Sequence, residues 1–352
     1  MNILGIHDGH NSSAALIIDG KIVSAIQEER LTRVKNHGGY PEKSIQEVLK
    51  IGRCSLKDID AVSFNGYIMG DKHNTHEESL LVNHRRFEIP RKNLFQRTEI
   101  GLRKLRNQIF PSISKSRKEA RREKKRQSRM NSLLCQGFSP EKIHFIDHHF
   151  CHAATAYYGQ GDMDEKILVL TSDGAGDGLC ATVSLGKEGN IERIFEVPRS
   201  ESVAILYAFV TYLLGFTPLE HEYKLMGMAP YASGAKQSYE ISEYFHSLFE
   251  FGSNSFGWKR AKNVPPSYEI APLLRDALRY KRFDSICGGL QKFTEEITVK
   301  WVQNVIHETG IRKLALSGGL FMNVKMNKCI MDLPEVDSLF VFPSCGDESN
   351  SI

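Results

Sequence analysis

The sequence predicts an α/β protein built from two homologous halves, and three observations carry that prediction. Short apolar runs of strand length alternate with stretches of helical period. One unit (apolar strand, Asp-Gly turn, strand, Gly-containing hairpin, strand) occurs at residues 2–27 and again at 166–197. The copies lie about 165 residues apart, which is too long for a solenoid and suits two duplicated halves. The expected halves are 1–165, with a basic helical insertion at about 70–136, and 166–352.

In chain order, Asn2–His7 reads as a strand running into Asp8-Gly9-His10-Asn11-Ser12-Ser13. A turn of that composition exposes backbone N–H groups, which suits phosphate. Ala14–Ile18 and Lys21–Gln27 are strands around Asp19-Gly20, a strong hairpin signal. Ile45, Val48 and Leu49 have helical spacing within 41–52, and Ile59–Phe64 is a strand. From Gly70 to Gln136 the character changes, and Lys115–Arg126 is strongly basic with two acidic residues interleaved. Without interleaved aromatics or a base-reading motif, this run reads as a solvated helix rather than a nucleic-acid or membrane arm. Attraction of an anionic substrate is a secondary role for it.

Lys142–Ile146 is a short strand, and the segment after it, Asp147–Tyr158, is Ala-rich and helix-favouring. The second meander follows: Lys166–Thr171, a turn at 173–178, Ala181–Leu185, a turn at 186–190, and Ile191–Val197. Ser202–Gly215 reads as a buried helix, with further helices at Lys236–Phe251 and Ser285–His307. Strands at Lys313–Leu316 and Ser338–Phe342 lead into Ser317-Gly318-Gly319 and Cys345-Gly346-Asp347.

Composition excludes several classes. With 41% apolar and 25% charged residues and a net charge of +4, the chain has the balance of a soluble globular protein. No apolar run approaches the roughly 18 residues a membrane helix needs, and no signal peptide is visible. Seven cysteines, odd in number and irregular in spacing, point to reduced thiols and a cytoplasmic location. The absence of a Cys-x-x-Cys pair argues against a cysteine-built zinc site.

The chemistry-bearing stretch is His148-His149-Phe150-Cys151-His152. On a helix, residues i and i+4 share a face with Cβ atoms about 5–6 Å apart, so His148 and His152 can share one metal. A lone His-x-x-x-His is a common accident of sequence. It gains weight here because it follows a strand's carboxyl end, where open α/β sheets place ligands. His149 and Cys151 point off that face and read as packing. His10, Asn11, Ser12 and Ser13 serve either phosphate and substrate or the turn itself. Lys35 and His37 fit an exposed Gly-rich loop better than a substrate contact. Lys224 stands evenly between a phosphate ligand and a structural charge.

The duplication resembles the actin/hexokinase/heat-shock-chaperone superfamily, whose ribonuclease-H-like halves hold nucleotide phosphate between two such turns. A narrower resemblance rests on His10-Asn11-Ser12-Ser13-Ala14, Glu28–Lys35, Asp147-His148-His149 with His152-Ala153-Ala154, Ser172-Asp173-Gly174, Lys224-Leu225-Met226-Gly227, Ser317-Gly318-Gly319 with Asn323, and Gly346-Asp347-Glu348. In this order and spacing the chain resembles the N-terminal domain of the nodulation/cephamycin-type O-carbamoyltransferases. That domain is itself similar to the ATPase-like subunit that threonylcarbamoylates tRNA adenosine. Asn11 departs from the family's usual Asp, which argues against acid–base work there and leaves the turn intact.

The resemblance implies a metal held by His148, His152, Asp173 and Asp347. Mixed imidazole and carboxylate ligands suit iron, zinc or manganese, and the family points to iron(II). It further implies catalytic roles for His10, Asn11 and Lys224, and contacts to ATP or carbamoyl-adenylate from Ser12, Ser13, Gly174, Gly176, Gly318, Gly319 and Asn323. The implied reaction moves a carbamoyl group from carbamoyl-adenylate, made from carbamoyl phosphate and ATP, to a hydroxyl of a small-molecule acceptor. The adenylate would be made in a C-terminal YrdC-like domain. The chain stops at Ile352, short of that domain and of the first domain's last helix, and so reads as a C-terminally truncated piece of a longer protein or half of a split enzyme. A homodimer is left open, and neither membrane nor nucleic acid is expected as a partner.

Competing readings remain at this stage. A zinc protease needs Glu directly after the first histidine, where His149 stands. A sugar kinase or ATPase of the same fold would use magnesium, which prefers oxygen ligands. A tRNA-modifying threonylcarbamoyltransferase-like protein or a plain tRNA-binding module would rest on the basic run near Arg121.

Overall fold

The computed structural model describes residues 1–67, 87, 111–252 and 256–352. The expected insertion before Pro111 lies outside the described residues, Phe87 excepted.

The first sheet contains β1 (Asn2–His7), β2 (Ser13–Ile18), β3 (Lys21–Gln27), β4 (Ala61–Asn65) and β5 (Ile143–Ile146), in the order β3-β2-β1-β4-β5. β1, β2 and β3 form an antiparallel meander, while β4 and β5 add in parallel. The β2–β3 hairpin turns through Asp19 and Gly20 at φ 50° and 78°. Positive φ at both central residues is the type I′ geometry, whose twist matches that of the flanking strands. α1 (Glu28–Thr32) and α2 (Glu42–Ile51) follow β3. Buried Glu28 accepts from the backbone N–H of Ser44 (2.7 Å) and Lys43 (3.1 Å), satisfying two orphan donors at the start of α2. α2 then buries Ile45, Val48 and Leu49 against the sheet.

α3 (Pro111–Leu134) carries the basic run on a helical backbone. The described side chains of the basic run itself, Glu119, Ala120, Glu123, Lys124 and Arg126, are exposed, as expected of a solvated helix. Beyond the run, one face of its last turns packs inward: Leu133 is fully buried with Leu4, Ile6, Val62 and Phe64 in the core of the first half.

The second sheet repeats the first. β6 (Ile167–Gly176), β7 (Leu179–Lys187) and β8 (Asn190–Pro198) form the meander, and β11 (Lys313–Ser317) and β12 (Ser338–Val341) add in parallel, in the order β12-β11-β6-β7-β8. β6 continues through Asp173 to Gly176, and the turn falls at Asp177-Gly178, later than expected. A short ribbon of β9 (Phe249–Phe251) and β10 (Trp258–Arg260) stands apart. The helix expected over 236–251 ends at His246, and β9 begins three residues on.

α4 (His148–Gly159) lies on one face of the second sheet, burying Ala153, Ala156 and Tyr157 against Ile167, Val169 and Ala315. The other face carries the larger core, with α5 (Val203–Leu213), α6 (Glu222–Met228), α7 (Lys236–His246), α8 (Ala271–Leu278) and α9 (Phe283–Thr309). α10 (Val324–Met331) precedes β12. The chain ends in a 3₁₀ turn, Asp347–Ser351, which returns to the first sheet: Ser13 Oγ donates to the Glu348 carbonyl at 2.8 Å. This is the duplicated α/β architecture that the repeated meander predicts. Among the described residues no helix is long and apolar enough to cross a membrane.

Candidate metal centre and cleft

Between the two sheets lies a cleft of about 720 Å³, lined by the first turn, the Asp173–Gly178 segment, α4's first residue and the Gly346-Asp347 turn. α4 starts at its floor. Asp147 caps it by accepting from the Phe150 N–H at 2.9 Å and pairs with Arg193. Asp177 accepts from the His148 N–H at 2.9 Å, so the first turn's orphan donors are met by side chains from both halves.

The i, i+4 spacing brings His148 and His152 together, with ring centroids 4.8 Å apart. Asp173 comes from β6 and Asp347 from the final turn. His148 Nε2 lies 3.4 Å from Asp347 Oδ1 and 3.7 Å from Asp173 Oδ2, and His152 Nε2 lies 3.3 Å from Asp347 Oδ1. One donor atom from each of the four residues lies within 4.8 Å of every other. Metal–ligand bonds of about 2.1 Å put neighbouring donors roughly 3 Å apart, so the spacing has the right size.

The donor set also fits a cation chemically. His148 Nε2 and Asp347 Oδ1 are buried and have no hydrogen-bond partner in the protein. Orphans of that kind are costly unless something else satisfies them. Burial pushes the His148 imidazole down, yet the Asp347 and Asp173 carboxylates outweigh it and lift it to about 9. Burial raises the Asp347 carboxyl, but the imidazoles of His148, His7 and His152 hold it far below the ordinary carboxylate range. The site draws positive charge, and imidazole with carboxylate suits a divalent transition metal.

Supporting contacts fix the rings. His152 Nδ1 sits 3.2 Å from Ser317 Oγ, leaving Nε2 toward the carboxylates and 3.2 Å from Asn350 Nδ2. Asp173 Oδ1 accepts from the Gly319 N–H at 3.0 Å. A Cβ on Gly176 would lie 1.9 Å from His148 Cδ2, so only glycine leaves the ring its place. His149 is fully buried with Nδ1 2.8 Å from Thr171 Oγ1, and burial beside His148 and His152 pushes it down to about 3. Cys151 is buried as well, as its position off the ligand face predicts.

The other expected site residues divide. His10, Asn11, Gly174, Gly176, Gly319 and Asn323 line the cleft with Lys35. Asn11 is held at φ 59° with Oδ1 buried and unpartnered. Asn323 also caps α10 and exchanges hydrogen bonds with Gln291. Ser12 and Ser13 are buried behind the turn: Ser12 Oγ donates to the His37 carbonyl, and Ser13 Oγ meets Glu348 and Ser351. Gly318, at φ 109°, packs on the Ser172 backbone instead of the cleft. Lys224 lies over the Phe216 ring at 5.6 Å, while its neighbours Tyr223 and Met226 face the cleft.

Several cleft residues had escaped the sequence reading. Asp8, which begins an Asp-Gly pair after the first apolar run as Asp173 does after its counterpart, lines the cleft and pairs with buried Arg129 at 2.8 Å. His7 and Asn65 stand beside it, joined Nδ1 to Nδ2 at 2.7 Å. The duplication itself was a signal for Asp8. Asn65, Arg129, Ser317 and Asn350 had none.

The chain is 27% identical over 350 residues to the nodulation protein NolNO of Sinorhizobium fredii, covering 96% of this chain and 44% of that protein. It is 29% identical over 352 residues to the uncharacterized protein MJ1051 of Methanocaldococcus jannaschii, covering 98% and 55% respectively. The chain thus spans about half the length of these curated relatives. Among solved structures, full-length HypF in its phosphate- and nucleotide-bound form superimposes with a TM-score of 0.53 at 13% identity, over 99% of this chain and 54% of that one. That likeness concerns the fold alone. The family model for the carbamoyltransferase N-terminus matches residues 2–352, and the chain belongs to that family.

Proposed function

We propose that this chain catalyses the transfer half of a metal-dependent O-carbamoylation, from carbamoyl-adenylate to a hydroxyl of a small-molecule acceptor. The observation that carries the reading is the convergence of His148, His152, Asp173 and Asp347 at the cleft floor, two of their donor atoms buried and unpartnered, in a chain of the carbamoyltransferase family. These four residues would hold a divalent metal, iron(II) by the resemblance. When bound, it screens the phosphate charge of the adenylate and eases departure of AMP.

The chain's own groups supply position and proton transfer. The nucleotide lies along Gly174, Gly176, Gly319 and Asn323, where the walls are backbone and small side chains that permit close approach. Ser12, Ser13 and Gly318 shape the turns behind those walls. The acceptor hydroxyl lies beside Asn11 and donates to the His10 imidazole, and its oxygen bonds to the carbamoyl carbon. The bond from that carbon to the phosphate oxygen breaks, AMP leaves with the electron pair, and the hydroxyl proton passes to the His10 imidazole. Lys224, set over the Phe216 ring, takes no part in this step. In this scheme residues 1–165 and 166–352 are the two halves that close on the adenylate, and a YrdC-like domain supplies it from carbamoyl phosphate and ATP.

The test is metal analysis followed by turnover. The purified chain is expected to hold about one metal ion, and His148→Ala and His152→Ala to hold less than a tenth of that. With carbamoyl-adenylate and a hydroxyl acceptor, AMP and the carbamate ester should appear together, and both histidine variants should lose that activity. Full transfer by a chain lacking both histidines, or release of ADP instead of AMP, overturns the proposal.

A further inference from the structure

We propose that Asn65 reads the amino group of the carbamoyl donor and so makes the cleft selective for carbamoyl over acyl groups. This deepens the carbamoyl-transfer reading and rests on it.

Asn65 ends β4, is only 4% exposed and lines the cleft. Its backbone is pinned from behind, because Arg129 Nη2 donates to its carbonyl at 2.8 Å. Its side-chain amide is pinned through His7. His7 Nε2 lies 2.7 Å from the His10 carbonyl, which can only accept, so the imidazole proton sits on Nε2. Burial favours the neutral ring and pushes His7 down. Nδ1 is therefore a bare acceptor, and Asn65 Nδ2 donates to it at 2.7 Å. Flipping the amide would set an oxygen against that lone pair. Nδ2 also lies 3.5 Å from His148 Nδ1, which sets the amide beside the metal-binding pair.

What remains is Asn65 Oδ1, an oriented acceptor, buried and unpartnered in the protein. Such a group calls for a donor. In carbamoyl-adenylate the phosphate and carbonyl oxygens only accept, and the donor at the reacting carbon is the NH₂. An acetyl group offers a methyl there, which leaves Oδ1 desolvated and unsatisfied. A site built to hydrogen-bond a substrate N–H rejects the analogue lacking it more strongly than an apolar pocket rejects one methylene.

The test uses two stable adenosine 5′-esters, one of phosphonoacetamide and one of 2-oxopropylphosphonate, which differ at the reacting group by NH₂ against CH₃. Their dissociation constants are measured by titration calorimetry on the cobalt-loaded chain. Wild type is expected to bind the amide probe about tenfold more tightly. Asn65→Leu should bind both within about twofold, with the cobalt absorption spectrum and the affinity for the ketone probe little changed. Asn65→Asp keeps an acceptor in place and should keep the preference. If Asn65→Leu does not fold by circular dichroism, Asn65→Ala carries the same comparison. A preference that survives in the Leu or Ala variant, or is missing from wild type, overturns the assignment of Asn65. Binding of neither probe by wild type overturns the carbamoyl reading and this inference with it.

Discussion

Gly176 and Ser317 show how single positions decide whether the four proposed ligands converge. A methyl at 176 would fall 1.9 Å from His148 Cδ2 and 2.6 Å from Nε2, a clash only the ring can relieve by turning away. Gly176→Ala is expected to fold, at a cost of about 1–3 kcal/mol for overpacking, and to bind metal at least 100-fold more weakly in a chelator competition. Native metal affinity in that variant would mean that the ring's present place is not the ligating one. Ser317 acts more gently, as the partner of His152 Nδ1. Ser317→Ala should lower metal affinity roughly 10- to 100-fold, the usual size for a group that orients a ligand, with little change in melting temperature. The histidine pair was legible because helical period alone joins residues four apart. Asp347 was legible as a candidate just past a strand end and Asp173 as the first residue of an Asp-Gly pair, given the resemblance. Ser317, Asn350 and Asn65 were not, because each gains its partner only when distant strands come together, and nothing in the local sequence marks which Ser or Asn will do so.

Among the elements, α3 is the one whose role the sequence concealed. Its charge pattern predicts a helix facing water. In a string of Arg and Lys, however, a residue that turns inward looks like the rest. Arg129 is that exception: it pairs with Asp8, donates to the Asn65 and Gly66 carbonyls, and stacks over Phe64 at 4.7 Å and Phe145 at 5.0 Å. The side chains of the pair are 1% and 5% exposed, so removing one partner strands the other charge in the interior. Arg129→Met is expected to destabilise the chain by about 3–5 kcal/mol, read from the urea midpoint at constant slope. Adding Asp8→Asn should restore part of that loss, since the stranded carboxylate is then gone. Equal stability of the single variant and wild type would show the pair to be dispensable. β6 gives a second instance of element-scale error. Asp-Gly at 173–174 carries a turn signal, but β6 pairs with β7 as far as Gly176 opposite Leu179, and the turn moves to the next Asp-Gly, at 177–178.

At the scale of the molecule the duplication was readable early, because each meander repeats the same strand and turn chemistry. Both sheets indeed have one order: 3-2-1 followed by two parallel strands in the first half, 8-7-6 followed by two in the second. How the halves close on each other could not be read, since it depends on the final turn packing back onto β1. A Cβ on Gly5 would meet the Ser351 carbonyl at 1.8 Å, so that closeness is built into the first strand. The same turn carries Asp347, so one ligand of the proposed metal site is delivered only when that turn docks on the first sheet. If the site binds metal as proposed, binding and docking of the halves are linked, and the folded chain should be stabilised by metal while the unfolded chain is not. At a free metal concentration 100 times the dissociation constant the gain is about 2.7 kcal/mol. At roughly 2 °C per kcal/mol for a chain of this size, a chelator should lower the melting temperature by about 5 °C. His148→Ala and Asp347→Ala should melt at the same temperature with or without chelator, because they have no bound ion to lose. A melting temperature of the wild-type chain that is indifferent to chelator, after metal analysis has shown the ion to be present, would separate the ion from the docking of the halves.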